Sequence, residues 1–256
     1  VATVPDRVEA LALDLFEAIP SQTSPADRRS LLAVQRATAR HRGRYAYLEI
    51  GSHLGGSIQP HLLDSRCERI FSIDPRPASQ PDERSPGYVA RYENNSTGRM
   101  LALLRDLAPA EVGKVRCFEA TAAFVEPGTI DPPPAIAFID GEHTRRAVLS
   151  DFAFCRGVIA PGGTVLFDDF PIVYPAVLDI CRGLRRARER FVAARLEGKI
   201  FGIFFDPELV LGDLFLSGCG RRNRRALRRY ALKLWAKSLL PGATGRAARA
   251  ARRPIQ

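Results

Sequence analysis

Long apolar runs are missing from this 256-residue sequence. None approaches the ~18–20 residues that a membrane-spanning helix needs. The opening stretch, VATVPDRVEALALDLFEAIP, mixes acids with apolar positions and is not expected to act as a cleaved leader. Cysteine is sparse: Cys67, Cys117, Cys155, Cys181 and Cys219 are scattered, odd in number and free of any CxxC pair. That argues against a disulfide framework or a cysteine-based zinc site and for reduced thiols in a cytoplasmic protein. Acids are absent from residues 214–256, which hold 12 Lys/Arg. The chain's 38 basic residues less these 12 leave 26, against 28 acids, so the rest of the chain carries −2 and the net +10 belongs to the tail. A nucleic-acid enzyme more often carries its basic face on the catalytic body, so no nucleic-acid partner is expected.

What is present is alternation. Val8, Leu11, Leu15 and Ile19 fall at helical spacing over residues 5–19. A second helix starts at Ser24, with Pro25 and Asp27 in its first turn and Gly43 as its stop. From there apolar strands (45–50, 69–73, 115–120, 135–139, 163–167) alternate with helical stretches. GGSIQPHLLDSRC reads as mostly helix, residues 74–88 as a Pro-rich loop, 173–189 as a helix, and RFVAAR with KIFGIFF as a strand pair. Such alternation indicates α/β, doubly wound, with a sheet covered on both faces. The expected organisation is a helical segment over 1–43, a main domain over 44–213, and a basic helix with a tail over 214–256.

The first strand runs into YLEIGSHLGGSI (47–58). A dinucleotide loop would need G-x-G-x-x-G, but His53 stands at the second glycine, where a side chain obstructs a pyrophosphate. A Walker loop would need Gly-Lys-Ser/Thr, and the loop has no lysine. An acid before the first glycine suits a cationic ligand better than a phosphate. The second strand ends on Asp74, 23 residues after Gly51, where an acid can accept ribose hydroxyls. S-adenosylmethionine (SAM) has the matching charges, an ammonium and a sulfonium without phosphate.

With this loop and acid, residues 44–206 resemble the class I SAM-dependent methyltransferases. The resemblance implies a seven-stranded Rossmann-like sheet with a reversed final strand. It places Glu49, Gly51, Ser52 and Gly55 at the SAM pocket, Asp74 at the ribose, and Asp140 beside the cofactor. Thr121 is the candidate near adenine, because Ala120 stands where the family often has an acid.

Two apolar runs end on carboxylates, in FIDGEH (138–143) and VLFDDF (165–170). In this fold the two strands are neighbours, so Asp140, Asp168 and Asp169 converge near the methyl group. Clustered carboxylates repel one another and favour a cation, and oxygen-only ligands favour Mg²⁺ or Mn²⁺. The string resembles the metal-dependent O-methyltransferases of the catechol and macrocin type. That likeness implies a metal on Asp140, Asp168 and Asp169, with His143 as general base. The plainer readings are a helix cap for Asp140, a turn residue for Asp169 and a satisfied helix-start histidine for His143.

The expected activity is methyl transfer to a hydroxyl of a small diol-type acceptor, such as a sugar, a glycan or a natural product. A non-catalytic SAM-binding scaffold and an RNA methyltransferase are the rivals. In RRNRRALRRYALKLWAKSLL (221–240), Leu227, Tyr230, Leu234 and Trp235 share one side of a basic helix, and Arg225, Arg229, Lys233 and Lys237 lie on another. Such a helix either lies on an anionic surface, peripheral to the inner membrane, or packs on the body or on a second subunit of a homo-oligomer. The end beyond Pro241 is expected to be mobile.

Overall fold

In the computed structural model, residues 2–238 are described, apart from the side chains of 220–228, 235, 237 and 238. The N-terminal expectation of one helix resolves into two pieces. Helix α1 (Val4–Glu9) is closed by a Thr3–Asp6 capping box. Leu11 then takes a left-handed conformation (φ 54°), and a single 3₁₀ turn follows over Leu13–Phe16. The break lets Leu15, Phe16 and Ile19 enter the core together. Helix α2 (Pro25–Arg42) begins at Ser24 and ends on Gly43, where the sequence put both.

The main sheet holds β1 (Tyr45–Ile50), β2 (Cys67–Ile73), β5 (Val115–Phe118), β6 (Ile136–Ile139), β7 (Thr164–Phe167), β8 (Val192–Arg195) and β9 (Phe201–Phe204). Its order is β5-β2-β1-β6-β7-β9-β8, with β9 alone running opposite to the other strands. Helices α3 (Gln59–Leu63), α4 (Thr97–Leu107), α5 (Arg145–Val158), α6 (Phe170–Arg186) and α7 (Pro207–Leu211) complete the frame, with α8 (Leu214–Ser238) after them. One apolar cluster, around Leu32, Tyr47, Ile70 and Phe138, lies on the face of α2, α3 and α4. The other, around Leu48, Phe71, Val148 and Val177, lies under α5 and α6. Burial on both faces explains why β6 reads as a continuous apolar run, and β1 as one interrupted only by Glu49, rather than alternating.

Two segments differ from expectation. The stretch after the glycine loop is helical only over α3. The Pro-rich loop contains a small hairpin of β3 (Ser79–Pro81) and β4 (Val89–Arg91), paired antiparallel. None of the described helices is long and apolar enough to cross a membrane. On α8, Tyr230 packs against Phe170 and Tyr174 at ring distances of 4.8 and 5.0 Å, and Leu234 joins the same cluster. The side chains of Leu227 and Trp235, and the segment beyond residue 238, lie outside the described residues.

Asp27 joins α2 to the turn between β8 and β9. Its Oδ2 accepts hydrogen bonds from the Ser24 amide (2.8 Å) and hydroxyl (2.6 Å). Its Oδ1 accepts from the Lys199 amide at 2.6 Å. Gly198 is left-handed (φ 65°), and a Cβ there would collide with the Asp27 carboxylate. Asp27→Ala removes the cap and leaves the Lys199 amide unpaired. A loss of about 2–3 kcal/mol is expected in urea denaturation. Asp27→Asn, which keeps an acceptor, is expected to lose about half of that.

Candidate active site

The parallel register brings the site together. Ile50 pairs with Ile73 on one side and Ile139 on the other, and Ile139 pairs with Phe167. The next residue on each strand is therefore Gly51, Asp74, Asp140 or Asp168, all at the carboxyl edge where ligands of such sheets bind. Gly51 (φ 88°) passes so close to the next loop that a Cβ would stand 2.6 Å from the Asp140 carbonyl carbon. Its amide bonds the Ile73 carbonyl at 2.9 Å, and the Asp140 amide bonds that of Ile50 at 2.8 Å.

This crossing divides the edge into two cavities. One, of about 490 Å³, is lined by Asp74, Pro75, Pro77, Thr121, Ala122 and Phe124, with Gly141, Glu142 and Asp151 opposite. The other, of about 480 Å³, holds Ser52, His53, Asp140, His143, Asp168 and Asp169, together with Arg84 and Lys199. Gly51 lines both.

The glycine-loop residues divide in a way the sequence did not anticipate. Ser52 lines the second cavity, and its buried hydroxyl has no partner. Gly55 does not reach either cavity but packs against Met100 and Leu104, while Gly56 and Ser57 line the wall. Glu49 also lines neither cavity. It shares the α3 face of β1 with Tyr45 and Tyr47, is fully buried, and accepts from Tyr47 Oη (2.7 Å) and Ser57 Oγ (2.5 Å). Burial pushes its pKa up to about 8. Strand parity is the reason: an acid one residue before the strand end turns to the same face as Tyr45 and Tyr47. Its hydrogen bonds tie the loop to the strand.

Asp74 accepts from the His53 amide (2.9 Å) and the Arg76 amide (2.7 Å), with Arg76 Nη1 at 3.3 Å. A carboxylate has about four lone-pair sites, so one stays open toward the first cavity. Thr121 stands on that same wall. An open carboxylate, an apolar slot and a loop stripped of side chains at Gly51 fit an adenosyl group that carries no phosphate.

In the second cavity Asp140, Asp168, Asp169 and His143 are together, as the sequence expected. Three partners were missed. Asp82, from the β3–β4 hairpin, accepts from His143 Nδ1 at 3.0 Å. Arg84 pairs with Asp82 (2.8 Å) and lies 3.6 Å from Asp169. Lys199 Nζ bonds Asp169 Oδ1 at 2.6 Å and lies 3.8 Å from Asp168. All three come from turns that look like ordinary solvated loops in sequence; the only hint was the run of charges in PDER (81–84).

Electrostatics follow from the crowding. Burial alone would lower the His143 pKa, but Asp140, then Asp82 and Asp169, overcome it and raise it to about 9. Burial likewise works to raise Asp82, yet hydrogen bonds from Arg84 and His143 hold it at about 2. Asp168 is pushed well above the carboxylate range by burial and by Asp140, with Lys199 opposing. Asp169 sits at the N-cap position of α6 in the left-handed region (φ 45°) and makes no capping bond with its side chain. Its strain is sustained by the contacts to Lys199, Arg84 and His143 instead.

The donor chemistry suits a hard divalent cation, and the buried Asp168 Oδ1 has no hydrogen-bond partner. Yet among the described residues no three of His, Cys, Asp or Glu stand as a ligand set. Lys199 and Arg84 supply the positive charge between the carboxylates that the sequence assigned to a metal.

Comparison with known proteins agrees with this geometry. Residues 48–170 match a family model described as a methyltransferase domain. An uncharacterised protein of Acanthamoeba polyphaga mimivirus is 25% identical over 148 residues, 56% of this chain and 62% of its own length. The chain thus spans less than two thirds of that relative. The calicheamicin methyltransferase CalS11 superposes with a TM-score of 0.51 at 14% identity, over 78% of this chain and 91% of its own. The O-methyltransferase NovP gives 0.51 at 14%, over 68% and 78%. At such identity the likeness is one of fold. Residues 48–170 thus match the model of a methyltransferase domain, and the chain shares the fold of these solved methyltransferases.

Proposed function

We propose that this protein transfers the methyl group of SAM to a hydroxyl of a small polar acceptor with neighbouring hydroxyls, such as a sugar or another natural product. The observation that carries this reading is the pairing of His143 with three carboxylates directly across Gly51 from the adenosyl-sized cavity. The acceptor cavity is polar: Ser21, Gln22, Thr23, His53, Arg91 and Tyr92 surround it. Such walls suit a hydroxylated ligand better than an apolar one.

His143 is the base of this scheme. Asp82 takes the Nδ1 proton in a hydrogen bond, which leaves Nε2, unpartnered and 3.6 Å from Asp140 Oδ1, as the atom that accepts a hydroxyl proton. Asp82 and Arg84 also bind the hairpin to the sheet edge, which screens the reacting atoms from water. Ser52 and the Gly51 turn face the methionine end. In-line placement of hydroxyl, methyl and sulfur supplies much of the acceleration. A divalent cation would be held by Asp140, Asp168 and Asp169 once Lys199 leaves Asp169, and bound there it would lower the pKa of the acceptor hydroxyl.

Binding of S-adenosylhomocysteine by calorimetry tests the cofactor site. A dissociation constant near 1 μM, about −8 kcal/mol, is expected. Gly51→Val closes the crossing and should abolish binding, while Asp74→Ala should weaken it about tenfold by removing one charged acceptor. Equal affinity in both variants and the parent would sink the assignment.

The pH–rate profile tests the base. With His143 raised to about 9, its neutral form grows as pH rises, so turnover without added cation should climb until about pH 9 and then level. A cation on Asp140 and Asp169 cancels the charges that raise it, so Mg²⁺ should move the midpoint down. His143→Ala should remove the rise altogether. Unchanged activity and profile after exhaustive EDTA treatment would exclude a role for the metal and leave His143 acting with its carboxylates alone.

A further inference from the structure

Asp151 has no role in the scheme proposed above. It lies on α5, is 8% exposed, makes no side-chain hydrogen bond among the described residues, and lines the first cavity beside Gly141, Glu142, Ala147 and Ser150. A Cβ on Gly141 would stand 3.6 Å from its Oδ2, so the carboxyl lies immediately behind the turn that follows β6. The opposite side of the cavity is formed by Pro75, Pro77, Ala122 and Phe124, flat and apolar, with Phe124 86% exposed. A buried carboxyl without a partner is costly, and its cost is relieved by a ligand that brings both a donor and an acceptor.

We infer that Asp151 reads the amino edge of the cofactor's adenine, in place of an acid after β5. The inference rests on the SAM reading of this cavity. Position 120, two residues after β5, is alanine and offers no side-chain acceptor, and Glu119 before it does not line the cavity. Asp151 supplies one from the helix instead. The carboxyl carbonyl accepts from the exocyclic N–H, and the carboxyl O–H donates to the adjacent ring nitrogen, so both edge atoms are satisfied by one side chain. The protonated form is available because burial, and then the charge of Glu142, push the Asp151 pKa up to about 7. The charged groups sharing the cavity are Asp74, Glu142 and Arg146. As pH rises through 7 the O–H donor is lost, and the second hydrogen bond with it.

The test is calorimetric binding of S-adenosylhomocysteine and of its 6-deamino analogue, whose purine carries hydrogen at C6. The parent protein should prefer the amino form about tenfold, as one or two buried hydrogen bonds allow, and should bind it more weakly above pH 7. Asp151→Ala should bind both ligands alike within about twofold. Asp151→Asn, which keeps an acceptor and a donor at every pH, should retain the preference and lose its pH dependence. Thermal melts check that both variants are folded, and retained binding of the deamino analogue checks the cavity. A tenfold preference that persists in Asp151→Ala overturns the assignment of this residue alone. Failure of the parent protein to bind S-adenosylhomocysteine at any pH overturns the SAM reading and this inference with it.

Discussion

The close passage of Gly51 against the Asp140 carbonyl organises the sheet edge. Two parallel strands end level, and their first turns cross at a distance that admits no side chain. Because β1 and β6 share a register, the crossing cannot slide without breaking the bonds between Gly51 and Ile73 and between Asp140 and Ile50. The two cavities exist because the chain is pinched there. On one side the walls are apolar and end in Asp74, and on the other they are polar and crowded with charge. In the proposed methyl transfer that adjacency would put the donor on one side of the pinch and the acceptor on the other, with the reacting atoms between.

The charged side is balanced by groups from widely separated parts of the chain. Asp82 and Arg84 come from the hairpin after β2, His143 from the start of the α5 turn, and Lys199 from the turn between β8 and β9. Each carboxylate that faces the cavity has a cationic or hydrogen-bonding neighbour, except for one buried oxygen of Asp168. Crowded like charges in a low-dielectric site are tolerable only when compensated, and the compensation raises His143 and lowers Asp82 at the same time. Helix α2 takes part from a distance. Asp27 fixes the Lys199 backbone, and the Ser30 hydroxyl bonds the Glu197 carbonyl at 3.0 Å, so the turn that presents the ammonium is held from behind.

Much of the frame was legible in the residues. The apolar runs of β1 and β6, the Ser24-Pro25-Asp27 start and the Gly43 stop of α2 are local signals, and the structure has them where the pattern put them. The convergence of Asp140 with Asp168 and Asp169 was also legible, because it depends only on two strands being neighbours in register. Glu49 lines neither cavity, although its place on β1 was plain. A motif shows that an acid is near the loop, but the parity of the strand and the packing of α3 decide which way it faces. Gly55 and Gly56 differ by one residue in the same fashion: the first meets Met100 and Leu104, and the second meets the cavity.

By itself, then, the sequence determined the α/β class, the strand and helix alternation, the glycine turn unsuited to phosphate, and the carboxylates at the ends of β6 and β7. These are written in nearest-neighbour chemistry and in the two-residue and 3.6-residue periods of strands and helices. Only the tertiary structure decided that Asp82 supports His143, that Lys199 and Arg84 stand among the carboxylates, and that Asp151 opens onto the other cavity. Those pairings join residues 30 to 85 positions apart through turns of ordinary composition. No local period encodes a contact that depends on where two turns meet in space.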